Sequence, residues 1–131
     1  MSSGEAPFHA HVYFTDTDRA QAAALRDCFV ALTLPDSDPQ IRFVGRMVDE
    51  PVGPHPIPQY EIHFDGSARE SVIALIVASG LRALVHPLTD DDLADHTTLG
   101  HWLGEPVALN TSVFDPPGAN QGAARFGVSD F

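Results

Sequence analysis

The chain has 131 residues, near the commonest size for one domain, so one hydrophobic core is expected over residues 1–131, with the core at about 8–110 and a loop-rich tail at 111–131. At 44% hydrophobic residues and 19% charged ones, including eight Phe, there is enough apolar material for a packed interior. Eighteen acidic against seven basic residues give a formal charge of −11, a surface that repels phosphate backbones and anionic lipid, so neither nucleic acid nor membrane is expected as a partner.

Met1 to Pro7 lacks the basic patch and apolar run of a signal peptide, and no apolar run is long enough to cross a bilayer, so a cytoplasmic address is expected. Cys28 is the sole cysteine and reads as a small buried residue on a helix face beside Ala24, Leu25 and Phe29.

Phe8 to Phe14 alternates, with Ala10, Val12 and Phe14 on one side and His9, His11 and Tyr13 on the other, the period of a strand. Thr15 to Asp18 is rich in capping residues, and Ala22, Leu25, Phe29 and Leu32 then recur at helical spacing until Pro35. Ile41 to Val48 predicts a second strand, and four prolines between Pro51 and Pro58 dictate a loop. Gln59 to Phe64 alternates again, with Tyr60, Ile62 and Phe64 on one face and Gln59, Glu61 and His63 on the other. Ser67 and Glu70 have the spacing of a capping box, opening a helix with a stripe of Val72, Ile73, Ile76 and Val77 that Gly80 ends. Leu81 to His86 is a fourth strand. Thr89 to Leu103 has room for a short helix, Val107 to Leu109 for a short strand, and Asp115 to Phe131 is a tail rich in Gly and Pro.

Strand, helix, strand, strand, helix, strand is the order of a ferredoxin-like split βαβ fold (βαββαβ), an α+β class with an antiparallel sheet, here with a short C-terminal helix and strand extension. Strand one is expected between strand three, running parallel to it, and strand four, running antiparallel. The start of strand one (His9, His11), the residues leading into strand three (His55) and the exit of strand four (His86) then meet at one end of the sheet. Parity puts His9, His11, Glu61 and His86 on the face away from the helices. His63 shares that face, but four residues further along at about 3.3 Å each it is expected to lie too far away.

Neutral imidazole is the commonest ligand for Fe, Zn, Cu and Ni, and two histidines with one carboxylate is the arrangement of non-haem iron oxygenases. His11, His86 and Glu61 satisfy that rule; His11, His55 and His86 instead suit zinc or iron. Both sets stay open.

Five segments occur in series: H-A-H-V-Y-F at His9 to Phe14, V-G-P-H-P at Val52 to Pro56, L-V-H-P-L-T at Leu84 to Thr89, D-D-L-A-D-H-T at Asp91 to Thr97, and H-W-L-G-E-P at His101 to Pro106. Together they resemble the DOPA 4,5-dioxygenase family over about the first 110 residues. The resemblance implies an extradiol dioxygenase with a ferredoxin-like fold and a non-haem Fe(II), zinc or another divalent metal being the alternative as isolated. It carries the family's motif histidines onto His11, His55, His86 and His96, and its motif glutamate onto Glu61. The substrates would be a catechol and O₂. His96 or His55 would serve as acid and base, with His9 and His96 left for acid–base or outer roles once His11, His55, His86 and Glu61 take the metal. His63 and His101 are expected to be surface or structural residues.

Trp102 and Leu103 are candidates to close over the ring, and Arg42, Arg46 or Arg82 to take a substrate carboxylate, although solvated surface charges are the commoner fate of such arginines. The sheet face carrying Tyr13 and Leu84 needs cover from the segment after Pro87 or from a second subunit, so a homodimer is expected. Two alternatives keep the fold: a metal- or small-molecule-binding module without dioxygenase activity, and a metal-independent monooxygenase- or isomerase-type dimer using Tyr13 and the histidines.

Overall fold

A computed structural model describes residues 6–114 and 126–128. Its elements are β1 (Pro7–Tyr13), α1 (Arg19–Ala31), β2 (Ile41–Val44), β3 (Gln59–Asp65), α2 (Arg69–Ser79), β4 (Arg82–Pro87), α3 (Asp92–His96) and β5 (His101–Leu103), with short 3₁₀ turns at Gly66–Ala68 and Thr111–Val113. The five strands form one sheet in the order β2-β3-β1-β4-β5. This is the expected βαββαβ arrangement, an α+β fold, with a helix and strand added at its C-terminal side.

Alternation sorts the side chains between two faces. Ala10, Val12 and Phe14, with Tyr60, Ile62 and Phe64 of β3 and Ala83 and Val85 of β4, meet Ala22, Leu25 and Phe29 of α1 and Val72 and Ile76 of α2 in the main core. Each large side chain fully buried there contributes about 1.5–3 kcal/mol. The other face carries His9, His11 and Tyr13, and the chain after Pro87 covers it: Val107, Trp102 and Leu109 pack with Tyr13, Leu84 and Ile57. Covering this face therefore does not call for a second subunit.

The strand directions correct one expectation. β1 pairs antiparallel with β3 as well as with β4, so that His9 stands opposite His63, His11 opposite Glu61 and Tyr13 opposite Gln59. The reason is the path of the chain: α1 returns it so that β2 runs with β1, and β3 must then reverse. The parallel pair of the split βαβ unit is β1 and β2, with β3 inserted between them.

Local differences have local causes. β2 ends at Val44, its register shifted between Ile41 and Phe43, and Val48 rejoins β3 as an isolated bridge to Gln59. The Ser67–Glu70 box does not form, because Gly66–Ala68 tightens into a 3₁₀ turn and Ala68 becomes the residue before α2. Val72 and Ile76 are buried on α2 while Val77 is 59% exposed, since it lies about 100° around the helix from Ile76. Gly80 ends α2 in the left-handed region at φ 78°, as expected. Cys28 is exposed, one position before buried Phe29 on α1. The last strand is His101–Leu103, paired with β4, and not Val107 to Leu109; there the chain turns away, and the amide of Asn110 donates to Pro54 O at 2.9 Å in the proline-rich loop. The expectation for the tail falls outside the described residues except at 126–128. No described helix is long and apolar enough to cross a membrane.

Gly45 follows β2 and donates its amide to Glu61 O at 2.8 Å; a Cβ at this position would stand 2.7 Å from Glu61 Cγ. Gly45→Ala is expected to cost about 1–3 kcal/mol in urea denaturation while the fold survives, because the obstructing atom belongs to a side chain. An unchanged midpoint would contradict this packing.

Candidate metal centre

The face away from the helices is built by three neighbouring strands in register. β1 supplies His9, His11 and Tyr13, β3 supplies His63, Glu61 and Gln59 directly across, and β4 supplies His86 opposite His9. The proline-rich loop adds His55, held by a two-way backbone bridge with Val52 (3.0 and 2.9 Å) around Gly53, whose φ of 53° favours glycine. His96 comes from the end of α3, whose start is capped by Asp91 Oδ1 accepting from the Ala94 amide at 3.0 Å. Asp95 anchors the same turn, accepting from the Thr89 amide at 2.9 Å and the Thr89 hydroxyl at 2.6 Å.

Six of the seven histidines thus gather, and all six are buried, none more than 5% exposed. His101 remains exposed on β5. Nitrogen and carboxylate atoms come within 4.8 Å of one another in three overlapping triads: His9, His11 and His86; His11, His55 and His96; and His9, Glu61 and His63. His11 joins the first two. A buried cluster of this kind can bind a metal.

Hydrogen bonds define how the rings are turned. His86 donates from Nδ1 to Pro87 O at 2.7 Å, His96 donates from Nδ1 to Asp92 O at 2.8 Å, and His11 donates from Nδ1 to Gln59 Oε1 at 3.0 Å. A neutral imidazole that donates from one nitrogen presents a lone pair at the other. The Nε2 atoms of His11 and His86 accordingly face each other at 3.0 Å. In these tautomers the two lone pairs repel unless a cation lies between them; with the His11 proton on Nε2 instead, the same 3.0 Å contact is an N–H···N hydrogen bond. A proton would create a buried imidazolium; a divalent metal would be shared among several nitrogens.

The oxygen behind each ring is the support that metal-ligating histidines usually have. Ring centres also fit: two imidazoles on one tetrahedral ion stand roughly 5 Å apart, and the separations are 5.1 Å for His11–His86, 4.1 Å for His86–His96 and 5.9 Å for His11–His96. His55 differs. Its Nδ1 meets the Tyr13 hydroxyl at 2.6 Å, and a hydroxyl can give or take a proton.

His63, expected to be too distant, is part of the face, its ring stacked on His9 at 3.6 Å. The signal was present in the alternation of Gln59 to Phe64; the parallel direction assigned to β3 hid it. Gln59 and Tyr13 also become site residues, as the partners of His11 and His55. Trp102 stacks on Tyr13 at 5.9 Å, whereas Leu103 turns to the helix-side core and cannot close over a substrate ring. Arg42 is engaged by Asp65 Oδ2 at 2.6 Å, and Arg46 is exposed.

Burial sets the electrostatics. It pushes His11 down to about 3, with repulsion from His96 adding to the effect and the Glu61 charge opposing it. His86 and His55 are likewise lowered from 6.5, first by burial and then by neighbouring imidazoles. Burial raises the Tyr13 phenol, which stays protonated. The folded apoprotein thus resists protonation at three histidines that the unfolded chain protonates below about pH 6.5. Stability is expected to be full above that value and to fall as the pH drops toward 3, at up to about 4 kcal/mol per pH unit for three protons. Urea denaturation between pH 7 and 4 checks this, and a flat profile would contradict it.

The sequence profile of the Dopa 4,5-dioxygenase family matches residues 8–113. A DOPA 4,5-dioxygenase of Amanita muscaria is 33% identical over 113 residues, 79% of this chain and 47% of that protein. An uncharacterised 21.2 kDa protein of Botryotinia fuckeliana is 29% identical over 116 residues, 81% of this chain and 62% of that one. The chain thus spans about half to three-fifths of the length of these relatives. The crystal structure of a dioxygenase candidate from Nostoc punctiforme superposes with a TM-score of 0.72 at 36% identity, covering 84% of this chain and 91% of the other. With the profile spanning residues 8–113, the chain belongs to the Dopa 4,5-dioxygenase family.

Proposed function

We propose that the chain is a non-haem iron dioxygenase that opens the ring of a catechol, DOPA-like in class, by extradiol cleavage. The observation that carries this reading is the pair of Nε2 atoms of His11 and His86, 3.0 Å apart, each on a ring whose Nδ1 is anchored to an oxygen. His9 forms a triad with these two, and His96, whose Nδ1 is likewise anchored to an oxygen, joins His11 in another; we take His96 as the third ligand on that anchoring. Glu61, opposite His11, adds a negative charge that favours a cation there. Of the ligands the resemblance implied, His11 and His86 keep their role, while ring orientation favours exchanging those of His55 and His96.

Bound in such a site, iron(II) supplies a Lewis acid and a route for electrons between a catechol and O₂. The chain's own residues position and move protons. His55, backed by the Tyr13 hydroxyl, is placed to accept a proton from a catechol hydroxyl and return it, because either ring tautomer finds a partner in that hydroxyl. Since the imidazoles are buried, substrate reaches them only when covering side chains such as Phe114, stacked on His96 at 4.7 Å, move aside. His9 remains available for outer or acid–base support from its position beside His11 and His86, 6.0 and 5.5 Å away between ring centres. A cytoplasmic homodimer working on catechol and O₂, without nucleic-acid or membrane partners, completes the proposal; its support is the charge of −11 and the prevalence of symmetric pairs.

Anaerobic loading with Fe(II), then oxygen and a panel of catechols, is expected to produce yellow ring-cleavage products. No absorbance change with any catechol would favour a binding module. His55→Ala is expected to keep its iron while losing roughly 10²–10⁴-fold in kcat; loss of the iron itself would return His55 to the ligand set.

A further inference from the structure

Phe126 and Gly127, beyond the family-matched region, lie on the same sheet face. Gly127 donates its amide to His63 Nδ1 at 2.9 Å, and the Phe126 ring lies over His63 with centres 6.0 Å apart and planes 18° from parallel. Phe43 packs against the same imidazole at 4.9 Å, and His9 stacks on it at 3.6 Å. The matched family region stops at residue 113, so this contact comes from a part of the chain that the family profile does not describe.

An acceptor cannot carry the proton, so a neutral His63 whose Nδ1 accepts from a main-chain amide holds its proton on Nε2. That Nε2 lies 3.3 Å from Glu61 Oε2, both residues being buried. The pair does not meet hydrogen-bond geometry, so the contact is an electrostatic one between a buried imidazole edge and a buried carboxylate. It also separates the third triad from the other two. With Nδ1 committed to Gly127, His63 offers no lone pair at Nε2, the atom nearest Glu61, and so is not a ligand through that atom.

We propose that His63 is a positioning residue for Glu61, and that the segment carrying Phe126 and Gly127 fixes the His63 tautomer that makes it so. Phe126 and Gly127 thereby bear on the metal centre through His63. Glu61 stands opposite His11, so its orientation governs how much negative charge the centre presents. The consequence for metal affinity rests on the metal reading above; the tautomer does not.

Two readouts keep these apart. In the ¹⁵N-labelled 131-residue chain without metal, long-range ¹H–¹⁵N spectra are expected to show His63 protonated at Nε2, and Gly127→Pro, which removes the amide donor and, because proline cannot adopt the φ of 82° there, also displaces the Phe126–Gly127 segment, is expected to bring in the Nδ1-protonated form. A parent His63 protonated at Nδ1, or a tautomer unchanged by Gly127→Pro, would overturn the proposal whether or not metal binds. Cobalt(II) titration of the parent and of three His63 variants supplies the second readout. His63→Gln places an amide nitrogen near the Nε2 position and is expected to stay within about 3-fold of the parent, whereas His63→Asn and His63→Leu are expected to lose about 10–100-fold in affinity. Equal affinity of the parent and His63→Leu would overturn the positioning role. Failure of the parent to bind cobalt, with the tautomer as expected, would overturn the metal reading and leave the contact with the C-terminal segment standing.

Discussion

The antiparallel register of β1 against β3 is the constraint on which the rest depends. It sets His9 across from His63, His11 across from Glu61 and Tyr13 across from Gln59, so a polar side chain on one strand always meets a polar one on the next. A slip of one residue would turn the histidines into the helix-side core and expose Ala10, Val12, Ile62 and Phe64. The apolar halves of the two strands therefore hold the register that the polar halves need.

Packing and chemistry are joined by this arrangement. His11, His55 and His86 are tolerated in a low-dielectric interior because burial keeps them neutral, and oxygens take the Nδ1–H groups of His86, His96 and His11: Pro87 O, Asp92 O and Gln59 Oε1. The same bonds leave Nε2 atoms aimed inward. What satisfies the polar groups of the apoprotein also prepares a place for a cation, and the depressed affinity of His11 for protons means that a metal meets little competition there at neutral pH. Small supporting features serve the same end. Gly45 leaves room for the Glu61 side chain, and the Asp95–Thr89 clamp holds the turn that delivers His96.

Much of this was legible in the sequence. The period of two in Phe8 to Phe14 and in Gln59 to Phe64 separates the core from the site, residue by residue, and the helical spacing of Ala22, Leu25 and Phe29 identifies the buried side of α1. What was lost came from long-range pairing. The direction of β3 relative to β1 is decided by the return of α1, which no local pattern records, and with it went the place of His63. The capping box at Ser67 was overridden by a 3₁₀ turn, and β5 formed at His101–Leu103 because β4 offered an edge there, although Val107 to Leu109 is the more apolar stretch. The contact between Gly127 and His63 had no signature in either segment.

The central claim is that Nε2 atoms of His11 and His86 bind one divalent metal. X-ray absorption spectroscopy of the Fe(II)-loaded protein tests it most directly, since imidazole rings give a recognisable outer-shell scattering pattern. The account predicts two or three imidazoles in the iron's coordination shell in the parent protein and their loss when His11 and His86 are both replaced by Ala. A shell of oxygen atoms without imidazole, or an imidazole signal unchanged by those replacements, would contradict it.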